Sequence, residues 1–462
     1  MTQLGDYKIT QSITIRDTGT EVEPFLIYPY TTGIMELPRD STPAPAYISD
    51  SECGERLTFR QDEEKALSIP LKYLLALIPS KTAGAYTLVF QTGPEGGLTS
   101  STITNPPAEV VERCGIPVNV PAHLQKPVSV VISPYSGLGK AELYFSTLLA
   151  PVLEFYSVDY CKNTVTSPAA VKTITDGLPE GTSTVIVLSG DTLIFELLNE
   201  LPSTKRPTLV LIPTGTGNGL ASSLYRPLSP DDLVRSALHI FLHGMSYPLP
   251  GFTVKFSLGA RLLGKAIPSQ GLRGTVVTSW GFHASLVADA DAPEIRSMGT
   301  EKFQVAAKQN LTPPLHAYRG TISIVRPEST VWEEIEDTND EGHFYFVMTG
   351  VSNFEPAFTI SPMANGADGV LRIIYFGVGD VEGAEGVMGV MKAAYDGGKH
   401  ISIPGVRYQA VDGVRVHVKE TEEKWRRICV DGVVVTLEKD GWLEINKHEG
   451  WADVVCKSRF NG

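Results

Sequence analysis

The stretch Val185 to Lys205, VIVLSGDTLIFELLNELPSTK, decides the fold. An apolar run from Val185 to Leu188 stops at Ser189-Gly190-Asp191, and a helical pattern, LIFELLNEL, begins at Leu193. A short, continuously apolar strand that feeds straight into a helix is the unit of a parallel sheet covered on both faces. The polar turn between them lies at the C-terminal end of the strand, where open α/β sheets bind ligands. An acid at that point is placed for chemistry on a ligand. It is also placed to cap the helix that follows, since Asp is a favoured N-cap. The residues alone leave both roles open.

The same alternation extends to either side. VSVVISP, FYSVDYCK and PTLVLIPTG read as further strands, with KAELYFSTLLAPVLEFY, SPAAVKTITDGL and NGLASSLY as helices between or after them. This predicts a parallel α/β domain over residues 126–235. Residues 1–125 read as a β-rich region, with ITIRD, PFLIYPY, RLTFRQ, IPLKYLLALIP and YTLVFQT as strands. The Pro-rich segment 102–127 reads as irregular. Residues 236–462 read as an antiparallel β-sandwich domain, interrupted by helices within 293–318 and 386–398. The expected fold class is therefore α/β plus β in three parts.

Composition narrows the function. Of 462 residues 42% are apolar and 20% charged, as in ordinary globular chains. The formal net charge of -13 argues against a nucleic-acid partner. It gives no general attraction to an anionic membrane either. The local cluster Lys424, Arg426 and Arg427 reads as a solvated strand edge or as a peripheral membrane contact. Five scattered cysteines form no CxxC pair, which fits a reducing compartment and gives no zinc site. With no apolar run near the ~18 residues of a membrane span and no signal-like N-terminus, a cytoplasmic protein is expected.

Three strand-end turns carry the chemistry. The first is ISPYSGLGKAE, Ile132 to Glu142, in which Gly137 and Gly139 can wrap a phosphate and Lys140 adds charge. It lacks the GxxxxGK(S/T) of a Walker A loop, and a glycine-rich helix cap is the alternative reading. The second is the opening turn. The third is LIPTGTGNGLASSL, Leu211 to Leu224, with Gly215, Gly217 and Gly219 alternating with Thr214, Thr216 and Asn218. It fails GxGxxG, because Leu220 fills the last slot. Alternating glycines weaken a connection unless its backbone must approach something closely. Three such turns on neighbouring strands predict a nucleotide site.

At this point the motifs resemble those of lipid kinases of the diacylglycerol kinase and sphingosine kinase superfamily. Ser133 to Ala141 is similar to NPxSGxGxA, with Ser for Asn. Ser189 to Leu201 is similar to (G/S)GDGxxxEVxNGL, and Pro213 to Ala221 fits PxGxGNxxA in full. TSWGFHA (Thr278 to Ala284), Arg296 to Phe303, HAYRG (His316 to Gly320), SPMANGADGVL (Ser361 to Leu371) and Cys429 to Val433 continue the likeness, which spans about residues 127–440. The resemblance implies ATP held between an α/β domain and a β-sandwich, Mg²⁺ to neutralise and align the triphosphate, and a lipid substrate. Asp191 would be the catalytic base. Ser133, Ser136, Gly137, Gly139, Lys140, Ser189, Gly190, Pro213, Gly215, Thr216, Gly217 and Asn218 would hold phosphates and nucleotide. Glu196 would support the nucleotide site. Arg296 and Lys302 match phosphate-contacting positions, and Asp431 and Gly432 a late acidic turn. No metal ligand can be assigned.

The departures lie at Thr192 and Val433. Thr192 stands where the family has glycine; at positive φ a β-branched residue would be strained by about 1–3 kcal/mol. Val433 stands where the family has Glu. Ser285 replaces an Asp that sphingosine kinases place after WGF. These changes raise a second reading: a weakened or inactive relative that binds nucleotide or lipid and acts through interaction. His283 and His316, beside strand-like patterns and without a partner at a known spacing, read as packed or surface histidines.

Overall fold

A computed structural model describes residues 46–49, 55–60, 66–93, 97–226, 233–262, 265–295, 298–299, 301–335 and 342–457. Six strands form the central sheet, in the order Met245–Pro248, Asp453–Cys456, Thr208–Pro213, Thr184–Ser189, Val128–Ile132, Tyr160–Thr164. All are parallel except Met245–Pro248, which runs antiparallel to Asp453–Cys456. Every residue of Val128–Ile132, Thr184–Ser189 and Thr208–Pro213 is buried, because helices cover both faces. The helix after the first strand runs Ala141–Tyr144, widens to a π turn over Phe145–Leu149 and resumes over Ala150–Phe155. The widening precedes Pro151, which has no N–H to give an α-helical bond and crowds the turn before it.

Two of these strands come from the region expected to be wholly β-sandwich. Asp453 pairs with Thr208, and its carboxylate takes a bond from Arg206 Nε at 3.1 Å. The sheet is thus finished by a strand whose ion pair joins residues 247 positions apart. A helix, Leu233–His243, also crosses the boundary drawn at 235.

Asn353–Glu355 pairs with Phe358–Thr359 in a separate hairpin, and most of the remaining C-terminal strands make two antiparallel sheets that share a core. One has six strands, from Leu272–Gly274 at one edge to Trp332–Glu334 at the other, and the second has eight. Val254, Val416 and Ile445 of the first meet Trp280, Phe346 and Ile373 of the second. Strand His343–Thr349 is buried along its whole length. Phe346 and Met348 face the sandwich core, while Tyr345 and Val347 face an outer layer with Val387 and Val390 of helix Gly383–Tyr395. Helix Phe282–Ala290 belongs to the same layer and gave no sequence signal. It begins directly after Gly281, whose φ of 81° turns the strand Val277–Gly281 into the helix without a loop.

Towards the N-terminus, two three-stranded antiparallel sheets enclose Leu57, Phe59, Leu77, Leu88 and Ile103. Leu75, Ala76, Ile78 and Val89 join the α/β core instead. The expected strands ITIRD and PFLIYPY lie outside the described residues. The segment 102–127 is less irregular than expected: a strand reaches Thr104 and a helix spans Ala108–Cys114. Among the described residues no helix is long and apolar enough to cross a membrane.

Candidate active site

The sheet order sets the three turns side by side, at the ends of the neighbouring strands Val128–Ile132, Thr184–Ser189 and Thr208–Pro213. Glycine lets them touch. A Cβ on Gly137 (φ 55°) would lie 2.3 Å from Thr214 O; one on Gly215 would lie 2.3 Å from Gly190 Cα; one on Gly190 would lie 2.6 Å from Gly217 O. No side chain fits such spaces, so the turns pack backbone to backbone. Side chains then pin them. Gly190 N donates to Ser136 Oγ at 3.0 Å. Asn218 receives Gly215 N at 3.2 Å and donates to Gly215 O at 2.7 Å. Ser189 Oγ donates to Gly190 O at 2.8 Å. Ser133 N donates to Leu188 O and Thr214 N to Ser189 O, both at 3.1 Å. Ser133, Ser136, Gly137, Gly139, Ser189, Gly190, Pro213, Gly215, Thr216, Gly217 and Asn218 are thereby gathered in one place, with Lys140 at the start of the first helix. Gly137, Gly139, Thr216 and Gly217 stay exposed. A Cβ on Gly217 would meet nothing within 4 Å, so that face is open.

Asp191 opens helix Asp191–Glu200, but it caps another helix. Its Oδ2 accepts Gly219 N at 2.6 Å and its Oδ1 accepts Leu220 N at 3.2 Å, the first free N–H groups of Gly219–Tyr225. Burial, offset by those two bonds and reinforced by nearby Asp431, pushes its pKa up to about 7. The carboxylate does not cap the helix it opens, as the sequence allowed; it caps Gly219–Tyr225 instead.

Thr192 is a correction. It is the second residue of the helix, is exposed and is not among the residues with positive φ, so it carries no left-handed strain. Its Oγ1 would lie 3.5 Å from a Cβ on Gly432. The side chain therefore stands across the crevice from the late acidic turn. That turn is built inward: buried Asp431 (φ 45°) accepts Thr275 N at 2.7 Å, Val276 N at 2.9 Å and Val277 N at 2.7 Å. Its pKa rises to about 6 because burial outweighs those bonds.

Other sequence candidates are more distant. Glu196 is partly buried on the same helix and its carboxyl is raised by burial and then by Glu200. Lys302 pairs with Asp291 at 3.3 Å and lies over the Phe303 ring, and no described contact joins it to the turns. Arg296 lies outside the described residues. The cluster Lys424, Arg426 and Arg427 is not the solvated edge it reads as. Arg426 is buried with Nε on Leu437 O at 2.9 Å, and Arg427 is held by Asp289 at 2.6 Å.

Sequence reasoning missed the hairpin Asn353–Thr359. Asn353 N donates to Ser223 Oγ at 2.9 Å, and Ser223 Oγ returns a bond to Asn353 O at 3.1 Å. A Cβ on Gly219 would lie 3.0 Å from Asn353 O, 3.2 Å from Phe354 Cα and 3.3 Å from Asp191 Oδ2. The hairpin thus forms the sandwich side of the crevice. The polar pair Asn353 and Ser223, 130 positions apart, left no mark in either local pattern.

Two observations bear on what the crevice can hold. Thr214 Oγ1, at the third turn, is buried without a hydrogen-bond partner, as a hydroxyl meant for a ligand oxygen or a water would be. Among the described residues no three His, Cys, Asp or Glu side chains gather as a metal cage. A cation here would rest chiefly on the ligand's own phosphates, as Mg²⁺ commonly does.

Residues 127–246 match the diacylglycerol kinase catalytic domain. No curated protein matches the chain in sequence. A solved diacylglycerol kinase from Bacillus anthracis str. Sterne is 15% identical, with a TM-score of 0.48, over 72% of this chain and 98% of that one. An NAD kinase from Archaeoglobus fulgidus, solved in complex with ATP, is 11% identical, with a TM-score of 0.31, over 72% and 94%. The matched segment, residues 127–246, contains all three glycine turns and Asp191, so that part of the chain is similar to a diacylglycerol kinase catalytic domain.

Proposed function

We propose that this chain is an ATP-dependent lipid kinase that phosphorylates a hydroxyl of a sphingoid base, ceramide or diacylglycerol-like lipid. One observation carries the reading. A carboxylate with a pKa near 7 stands against three glycine turns packed backbone to backbone. The exposed backbone of Gly137, Gly139, Thr216 and Gly217 would receive the phosphates, with Lys140 beside them. Asp191 would take the proton as the lipid oxygen bonds to the γ-phosphorus and the bond to ADP breaks. Bound Mg²⁺ would neutralise and align the triphosphate, held chiefly by the phosphates themselves. A lipid substrate also implies contact with a membrane surface when the substrate is drawn from one.

A second reading rests on a specific observation. Asp191 already accepts two N–H groups, and Val433 offers no second carboxylate. The chain would then bind nucleotide or lipid without turnover. Incubating the purified chain with Mg-ATP and a lipid panel separates the two. Labelling that Asp191→Asn abolishes supports the kinase. ATP binding by calorimetry with no labelled lipid supports the binding protein.

A further inference from the structure

Helix Leu233–His243 leads into Met245–Pro248, the edge strand of the central sheet. Leu233, Ala237, Leu238, Ile240 and Phe241 are buried, while His239 and His243 lie exposed. Residues four apart are neighbours on a helix surface, so the two imidazoles share its outer face. Their ring centroids are 4.8 Å apart, with 37° between the planes. An ion bound to one nitrogen of each ring at about 2.0–2.1 Å, with an angle of roughly 90–110° between the bonds, sets the centroids roughly 4.5–5.2 Å apart. The observed spacing falls inside that range. Among the described residues neither ring has a hydrogen-bond partner, so its nitrogens are open to an outside group. His243 is also the last residue of the helix, where the partial negative charge of the helix end favours a cation.

We propose that His239 and His243 form a two-histidine site for a divalent transition ion such as Zn²⁺, Ni²⁺ or Cu²⁺, outside the three glycine turns. The site does not depend on the kinase reading. Imidazole suits these ions, whereas Mg²⁺ and Ca²⁺ prefer oxygen. The ligand rings must be neutral, and burial, then His243 and Lys457, hold the His239 ring below the ordinary histidine value. Lys457 would repel any cation, so the coordinate bonds rather than general attraction must carry the affinity. Two protein ligands leave the other coordination positions to water. A bound ion would tie together the last turn of the helix, beside the strand that pairs with the returning strand Asp453–Cys456. It would thereby brace the edge of the central sheet.

The test is titration of the metal-free full chain, without ATP, with zinc chloride and with nickel chloride, read by calorimetry and by melting temperature. His239→Asn and His243→Asn should each weaken binding at least about tenfold, because the second ring binds as an intramolecular partner of the first. Both side chains are exposed, so the variants should melt like the parent in EDTA. His417→Asn, at an exposed histidine on the strand Gly413–Val418, should bind as the parent does. Zinc at about a hundred times its Kd should raise the parent's melting temperature by roughly 2–3 °C. EDTA should reverse the rise, and magnesium chloride should not produce it. Absence of zinc and nickel binding overturns the proposal, as does binding that both His239→Asn and His243→Asn leave unchanged. An equal loss in His417→Asn, or an equal response to magnesium, overturns it too.

Discussion

At the residue scale, the proposed base Asp191 would set the pH dependence. In that role its carboxylate has to be ionised, and burial pushes its pKa up to about 7. We expect kcat/KM to rise with pH and level off above about 7. Asp191→Asn should remove the inflection and lower the rate by about 10²–10⁴-fold, the usual worth of a general base; an unshifted profile in the variant would assign the inflection elsewhere. Stability runs the opposite way. Both Asp191 and Asp431 have folded pKa values raised above the ordinary carboxyl value, to about 7 and about 6. The folded chain keeps protons that the unfolded chain releases, so their contribution is fully present below about pH 4. It is lost as pH rises through 6 to 7. Thr192→Gly tests the altered turn. Because Thr192 is helical and unstrained, glycine should lower stability by up to about 1 kcal/mol in a melt. A rate increase of tenfold or more would show that the methyl group obstructs the crevice.

At the scale of elements, the turns separate packing from binding. Gly215→Ala drives a Cβ to 2.3 Å from Gly190 Cα, so both the melting temperature and ATP affinity should fall. Gly217→Ala meets nothing, so the melting temperature should hold while ATP affinity drops. Equal effects of the two on stability would refute backbone-to-backbone packing. These turns were legible in the sequence because strand, glycine and helix follow one another within a dozen residues. Helix Phe282–Ala290 was not, because FHASLVADA is apolar or small around most of its circumference and offers no stripe. Leu233–His243 was lost to the domain boundary drawn through it. Asp431 was legible as a motif position but not as a structural anchor, since its donors Thr275, Val276 and Val277 lie far back in the chain.

At the scale of the whole molecule, sequence patterns gave the parts but not how they interlock. The helix that carries Asp191 is shared: Ile194 and Leu198 sit in the α/β core while Phe195 enters the sandwich core. Its C-terminal end is clasped by Arg273, which donates to Leu198 O at 2.7 Å and Leu201 O at 2.9 Å. We therefore expect residues 127–246 expressed alone to lack a cooperative thermal transition, because Thr208–Pro213 would lose its partner Asp453–Cys456 and present an open edge. A sharp transition from that fragment would show that the returning strand is dispensable. That strand also orders events in time. On a chain emerging from the ribosome, the glycine turns exist long before the strand that braces their sheet. The crevice must wait for the sandwich to be translated, and closing so long a loop slows folding. A message cut short within the sandwich would yield a chain with all three glycine turns and an unfinished sheet.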